Sequence, residues 1–149
     1  MNIITQTKGA FTISTDKSKL DINVIHHYLS QESYWSKDIP VARIQKSIEN
    51  ALCFGIFHDD KQVGYAKVVS DFSTMAYLGD VFVLEAYRGQ GLSKWLMETI
   101  MSHPELQDLR RWILLTADAH ELYQKYGWKP IASPEKWMEI HRPDVFQKS

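Results

Sequence analysis

The turn Arg88-Gly89-Gln90-Gly91-Leu92-Ser93 stands between a Val-rich strand pattern and an amphipathic helical one. A turn of that kind suits anion binding. Its glycines let backbone approach a ligand, and the first N–H groups of the helix carry the positive end of the dipole. A pyrophosphate is the natural guest; the alternative is a tight turn with no ligand. The stretch is not a Walker A loop, because no Gly-Lys-Ser/Thr follows, and it lacks the third glycine of a dinucleotide fingerprint. Asp80 sits in the strand before it, between Gly79 and Val81. A carboxylate inside a sheet is costly unless it is partnered or faces a cleft. It is therefore a candidate for binding a cationic amine or for base work through water, or else a structural acceptor. His120 lies one helical turn before Tyr123, so the two can share a face. His120 can act as a base or orient the phenol, or be an ordinary solvent-facing residue. Tyr34, Trp35, Asp71 and Phe72 fall in loops able to meet on one side, where aromatic faces and a carboxylate suit an ammonium group.

These residues need positioning elements. Phe11 to Thr15 alternates as a first strand. Asp16 or Ser18 can cap a helix to about Leu29, with Leu20, Val24, Ile25, Tyr28 and Leu29 on one stripe. Ser30 to Asp38 reads as a loop, and Pro40 suits the first turn of a second helix carrying Val41, Ile44 and Ile48. Leu52–Phe57 and Val63–Val69 form a hairpin across the polar turn 59–62, and Tyr77–Leu84 is a third strand. After the Gly-rich turn comes a helix with Leu92, Trp95, Leu96, Thr99 and Ile100 inward, ended by Pro104. Arg111–Thr116 is a strand. Asp118 with Glu121 predicts a capping box on the next helix, which Gly127 closes. Ile131 and Trp137–Ile140 predict two last strands. The order β-α-α-β-β-β-α-β-α-β-β is a mixed α/β domain spanning residues 1–149, without repeat or linker.

Composition narrows the function. Of 149 residues 44% are hydrophobic and 23% charged, which suits a globular chain able to build its own core. The longest nearly apolar run, Ala51–Phe57, is far short of the ~20 residues a spanning helix needs. Neither membrane insertion nor a secretory leader is expected. Seventeen basic and eighteen acidic residues nearly cancel, so no nucleic-acid face is expected. Cys53 is alone, and His26, His27 and His141 lack ligand spacing; no metal is expected, and a reducing cytoplasm fits.

Arg88-Gly89-Gln90-Gly91-Leu92-Ser93 resembles the acetyl-CoA signature of the GNAT N-acetyltransferases, Gln/Arg-x-x-Gly-x-Gly/Ala. Ser93 stands where Gly or Ala is usual. Ala119 to Trp128 resembles the family's second block, Ala-x-x-x-Tyr-x-x-x-Gly-Phe, with Trp128 in place of Phe and Thr116 where many members have Asn. Together with the Ser33-Tyr34-Trp35 tract, the chain looks like a bacterial branch of that family. The resemblance implies a mixed sheet of about six to seven strands flanked by about four helices. It implies acetyl-CoA as cosubstrate, with Val81, Phe82 and Val83 pairing with its pantetheine arm like an added strand. The backbone of Arg88, Gly89, Gln90, Gly91, Leu92, Ser93 and Lys94 would hold the pyrophosphate, and Thr116 would add a cofactor contact. Tyr123 lies at the position of the usual general acid, beside the candidate bases His120 and Asp80; otherwise it is a tyrosine packed under the sheet. Tyr34, Trp35, Asp71 and Phe72 would face the acceptor, an amine of a small molecule or an exposed amino group. Homodimers are common among such domains. The alternative reading is a non-catalytic acyl-CoA-binding module of the same fold. An acceptor on RNA or a large protein is a third, which the balanced charge disfavours.

Overall fold

A computed structural model describes residues 1–147. Six strands form one sheet in sequence order: β1 (Thr5–Lys8), β2 (Phe11–Ser14), β3 (Leu52–His58), β4 (Lys61–Ser70), β5 (Met75–Val83) and β6 (Arg111–Leu114). The first five are antiparallel neighbours, and β5 and β6 run parallel. Four helices cover the faces: α1 (Ile22–His27), α2 (Val41–Glu49), α3 (Leu92–Met101) and α4 (His120–Gln124). This is the mixed α/β architecture that the order of motifs predicts. No helix among the described residues is long and apolar enough to cross a membrane.

The central strands are apolar on both faces because both faces are covered. On one, Leu52, Phe54, Ile56, Val68 and Leu78 pack under Trp95, Leu96 and Ile100 of α3, with Tyr123 in the same core. On the other, Cys53, Tyr65 and Phe82 pack against Ile25, Leu29 and Ile44 of α1 and α2. The Tyr65 hydroxyl donates to the Cys53 thiol at 3.2 Å, and burial pushes both groups above their ordinary pKa.

Four local expectations need correction. β1 precedes the expected first strand. Its sequence, Thr-Gln-Thr-Lys, has no apolar alternation, and it forms as the outer arm of a two-residue hairpin in which Gly9 takes φ +61°. The first helix is broken. Asp16 caps only a 3₁₀ turn at Lys17–Lys19, Leu20 is extended, and the helix cap is Asp21, which accepts from Asn23 N and Val24 N. Buried Gln62 fixes that break by accepting the Asp21 N–H at 2.7 Å. Past α1 the chain widens into a π turn at Tyr28–Glu32, so the expected loop begins later than Ser30. The two last strands do not form. Pro130 and Pro134 remove ladder donors, and a 3₁₀ turn occupies Pro134–Lys136. Trp137 instead lies under the Arg111 guanidinium at 5.2 Å, leaving Met138 96% and Ile140 86% exposed.

His103 follows α3, is buried, and meets the Phe54 ring edge-on at 5.9 Å. Its Nδ1 accepts from Glu105 N at 3.1 Å, so the neutral ring carries its proton on Nε2, a buried atom without a partner among the described residues. Burial pushes its pKa below the ordinary value of about 6.5, and nearby Glu105 only partly opposes this. The unfolded chain therefore binds this proton first, and stability falls as pH drops below about 6.5. Melting curves between pH 7 and 5 should show this loss, and His103→Gln should flatten that part of the profile. Equal slopes in parent and variant would assign the loss to other groups.

Candidate active site

β5 and β6 are paired only from Met75↔Arg111 to Leu78↔Leu114. β6 ends there, while β5 continues to Val83 with β4 on one edge alone. Gly79–Val83 thus present a strand edge that β6 does not fill. Just past the separation the β5 register slips. Lys67 faces Gly79 and Tyr65 faces Phe82, so β5 carries one extra residue, and Asp80 takes φ +54°. A non-glycine residue in that conformation costs roughly 1–2 kcal/mol. Its carboxylate has two partners: Lys67 Nζ at 2.9 Å and the Trp35 indole N–H, which donates at 2.9 Å. The two charged side chains are 18% and 13% exposed, so the pair is mostly desolvated.

Trp35 belongs to the segment after the π turn. There the Ser33 hydroxyl donates to Leu29 O and accepts from Ser36 N, which folds the chain back sharply. Beside it the Tyr34 hydroxyl accepts the Ala117 N–H at 2.9 Å, on the connection between β6 and α4. The Tyr34–Trp35 pair therefore bridges the two separating arms. Behind it Tyr28 stacks on Phe82 with ring centroids 4.1 Å apart, and its hydroxyl accepts from Arg88 Nη2 at 3.2 Å. Arg88 Nε donates to Val83 O at 2.8 Å. Its guanidinium thus pins the start of the Gly-rich turn to the end of β5.

In that turn Gly89 and Gly91 take φ +81° and +79°, and a Cβ on either would project into open space. Gly91 is the N-cap of α3 and has no side chain to cap with. The N–H groups of Gly89 through Lys94 meet no acceptor among the described residues, the first bonded donor being Trp95 N to Gly91 O. Unmet donors at a helix start form a concave anion cradle.

Across the opening α4 begins after Ala119, not at Asp118. The Thr116 hydroxyl accepts the Ala119 N–H at 3.1 Å, and no carboxylate caps the helix. This corrects the expected capping box and leaves Asp118 exposed, with no side-chain hydrogen bond among the described residues. Gly127 ends the helix as expected, at φ +90°, with Trp128 N donating to Tyr123 O. Tyr123 is 8% exposed. Its ring meets Trp128 edge-on at 6.0 Å, and its hydroxyl has no hydrogen-bond partner among the described residues. Burial raises its pKa above 10, and the nearness of Tyr34 and Asp118 raises it further. A cleft of about 400 Å³ is lined by Trp112, Thr116, His120, Tyr123 and Trp128.

The structure thus joins Tyr34, Trp35 and Asp80 across the separation of β5 and β6, and places Thr116, His120 and Tyr123 together on its far arm. It does not bring Asp71 and Phe72 there, which corrects their expected place. The Asp71 carboxylate organises the β4–β5 turn by accepting from Ser73 N, Thr74 N, Met75 N and the Thr74 hydroxyl; these bonds hold it well below the usual carboxylate range. Phe72 lines a different cleft, of about 440 Å³, beside Met1, Ile3, Lys17 and Leu52. Lys67 and Tyr28 are site residues that sequence reasoning missed. The signal for Lys67 was its charge inside the apolar run Val63–Val69. No group of His, Cys, Asp and Glu able to hold a metal occurs among the described residues.

A model of the family described as acetyltransferase (GNAT) domain matches residues 49–130, from the end of α2 past Gly127. The chain belongs to the GNAT acetyltransferase family. A solved candidate GNAT acetyltransferase of Xanthomonas campestris is 51% identical, covering 93% of this chain and 97% of its own, with a TM-score of 0.91. A candidate acetyltransferase of Gibberella zeae is 28% identical, covering 80% of this chain and 78% of its own. A GNAT family acetyltransferase from Elizabethkingia anophelis, solved with acetyl-CoA bound, shares the fold at 17% identity, covering 80% of this chain and 76% of its own, with a TM-score of 0.59.

In this GNAT chain the Lys67–Asp80 pair makes a direct stability test. Lys67→Met leaves a mostly buried charge without its countercharge and should cost about 1–3 kcal/mol, less than for a fully buried pair. Lys67→Met with Asp80→Asn should recover much of that, because the amide oxygen still accepts from Trp35. Urea titrations of the four proteins in this cycle measure the coupling, and additive losses would mean the pair does not hold the bulge.

Proposed function

We propose that this chain transfers an acetyl group from acetyl-CoA to a primary amine, by direct attack while both are bound. One observation carries the reading. The unmet N–H groups of Gly89–Lys94 lie next to the strand edge of Gly79–Val83 that β6 leaves free. Acetyl-CoA fits such a pair of features, since it joins an anionic pyrophosphate to an amide-bearing arm, and it supplies an activated acetyl thioester.

The backbone of Gly89 through Lys94 holds the pyrophosphate. Arg88 acts differently from a phosphate clamp, because its guanidinium is spent on Val83 O and Tyr28 and orders the turn. The edge Val81–Val83 pairs with the pantetheine amides, and an N–H there stabilises the oxyanion that develops on the acetyl carbonyl. Thr116 shapes the turn before α4 and keeps its own proton free to donate.

Tyr123 holds the proton for the leaving sulfur. A raised pKa keeps the phenol protonated at neutral pH, and donation to a thiolate of ordinary pKa near 8.5 is uphill by a few kcal/mol, small beside a catalysed barrier. A lysine-type amine titrates near 10.4, so under about 0.1% is neutral at pH 7 and a base must strip its proton. His120 and Asp118, exposed on the Tyr123 arm, serve that step. Asp80 is neutralised by Lys67 and positions the bulge instead.

Gly91→Val should weaken acetyl-CoA binding about tenfold or more, because a β-branched residue resists φ +79° and so disturbs the turn that aims the N–H groups. Calorimetry on folded protein measures this, and parent-like affinity would remove the turn from the cofactor site. Tyr123→Phe should lower turnover about 10²–10⁴-fold while acetyl-CoA affinity stays within twofold. In the parent, kcat/KM should climb with pH as the amine deprotonates. No alkaline fall should appear before about pH 10, since burial lifts the phenol above its ordinary value. A fall near pH 8 would assign the acid to another group.

A further inference from the structure

The geometry points to an acceptor whose amine is carried on a flat aromatic group, seated on Tyr34 and Trp35 as specificity-determining residues. This inference rests on the proposed acetyl transfer. Tyr34 is 61% exposed and Trp35 41%, yet neither is free to move. The indole N–H is held by Asp80 on β5, and the phenol oxygen is held by Ala117 N beyond β6. The rings meet edge-to-face at 5.0 Å and 83°, an arrangement that fixes both while leaving ring faces open. Tyr28 backs Trp35 at 6.5 Å and is itself stacked on Phe82 of the free strand edge. Exposed aromatic surface, immobilised at both polar ends and set across the opening where the arms part, is a preorganised platform.

Charge recognition at the same place is left to Asp118, which the proposed reaction uses to take a proton. Asp71 is closed inside its own turn, and Asp80 is paired with Lys67 and Trp35, so neither carboxylate is left for a cationic chain. Aromatic faces also attract ammonium groups. That attraction retains the protonated amine, which cannot attack, whereas ring-on-ring stacking holds the neutral and charged forms alike. In the reaction the ammonium yields one proton before attack, to His120 or Asp118 and on to water, and a second after it, which restores the Tyr123 phenol. Its nitrogen gains the acetyl carbon as the carbon–sulfur bond breaks, and the sulfur leaves as a thiol with the proton from Tyr123. A single amine on a short arm bearing a ring satisfies both requirements.

The test measures CoA release with 2-phenylethylamine, hexylamine and spermidine. We expect the phenylethylamine to hexylamine ratio of kcat/KM to fall roughly threefold to tenfold in Trp35→Leu and in Tyr34→Leu. Taking the ratio against the parent cancels the difference in basicity between the amines. Trp35→Phe keeps a ring but loses the donor to Asp80, so KM for phenylethylamine should rise severalfold, by a larger factor than kcat falls. Acetyl-CoA affinity by calorimetry should stay within twofold in Tyr34→Leu, whose hydroxyl bonds Ala117 N and not the Asp80 bulge. A parent that binds acetyl-CoA but prefers spermidine, acetylates no aromatic amine, or keeps its preference in both leucine variants overturns the platform. A parent that binds no acetyl-CoA overturns the acetyl-transfer reading instead.

Discussion

The early end of β6 is the constraint on which the rest of the molecule depends. A strand edge inside a protein carries main-chain donors and acceptors that must be met by protein, water or ligand. β5 outruns its parallel partner by Gly79–Val83, and that shortfall makes the opening. The extra residue at Asp80 lies at the point of separation, and its bulge adds local twist to β5 there. Lys67 and Trp35 hold a backbone conformation that would otherwise be unfavourable. Strain, charge burial and the shape of the opening are therefore one problem with one solution.

The two sides of the opening are built from different materials. On the cofactor side the working groups are backbone amides of β5 and the Gly-rich turn. Side chains there serve to shape the main chain, as Arg88 does between Val83 and Tyr28. On the other side the working groups are side chains: Tyr34, Trp35, His120 and Tyr123. Tyr123 is placed by a helix of only five residues, too short to hold itself, so its position comes from packing against Trp128 and from the closure at Gly127.

Much of this was legible in the residues. Strands β3 to β5 and helices α2 and α3 follow from apolar period and turn chemistry, and the Gly-rich turn from its place between strand and helix. What was not legible depends on partners distant in sequence. Asp118 does not cap α4, which starts without a side-chain cap, because the Thr116 hydroxyl folds the preceding turn by accepting the Ala119 N–H. Asp71 and Asp80 look alike as isolated carboxylates. Only the fold reveals that one is consumed by its own turn and the other by a lysine on the neighbouring strand. β1 pairs by its backbone ladder and a few polar side-chain bonds, such as Thr5 with Ser14, so no apolar pattern marks it. Ile131 and Trp137–Ile140 read as strands, yet the prolines between and before them and the Arg111–Trp137 contact settle it otherwise.

The π turn at Tyr28–Glu32 gives the acceptor side an adjustable phase. A π turn is an α-helix holding one surplus residue, and each residue of a helix advances the direction of its side chain by about 100°. Removing one residue there would restore an ordinary helix and swing Tyr34 and Trp35 to a new heading. Tyr28, at the start of the turn, would keep its stack on Phe82 and its bond to Arg88. Single-residue insertions or deletions at this one place can thus re-aim the platform while Lys67 still pairs with Asp80 and Arg88 still pins the Gly-rich turn to β5. The fold has in effect separated the part that recognises what is constant in the reaction from the part that can be retuned for a different acceptor.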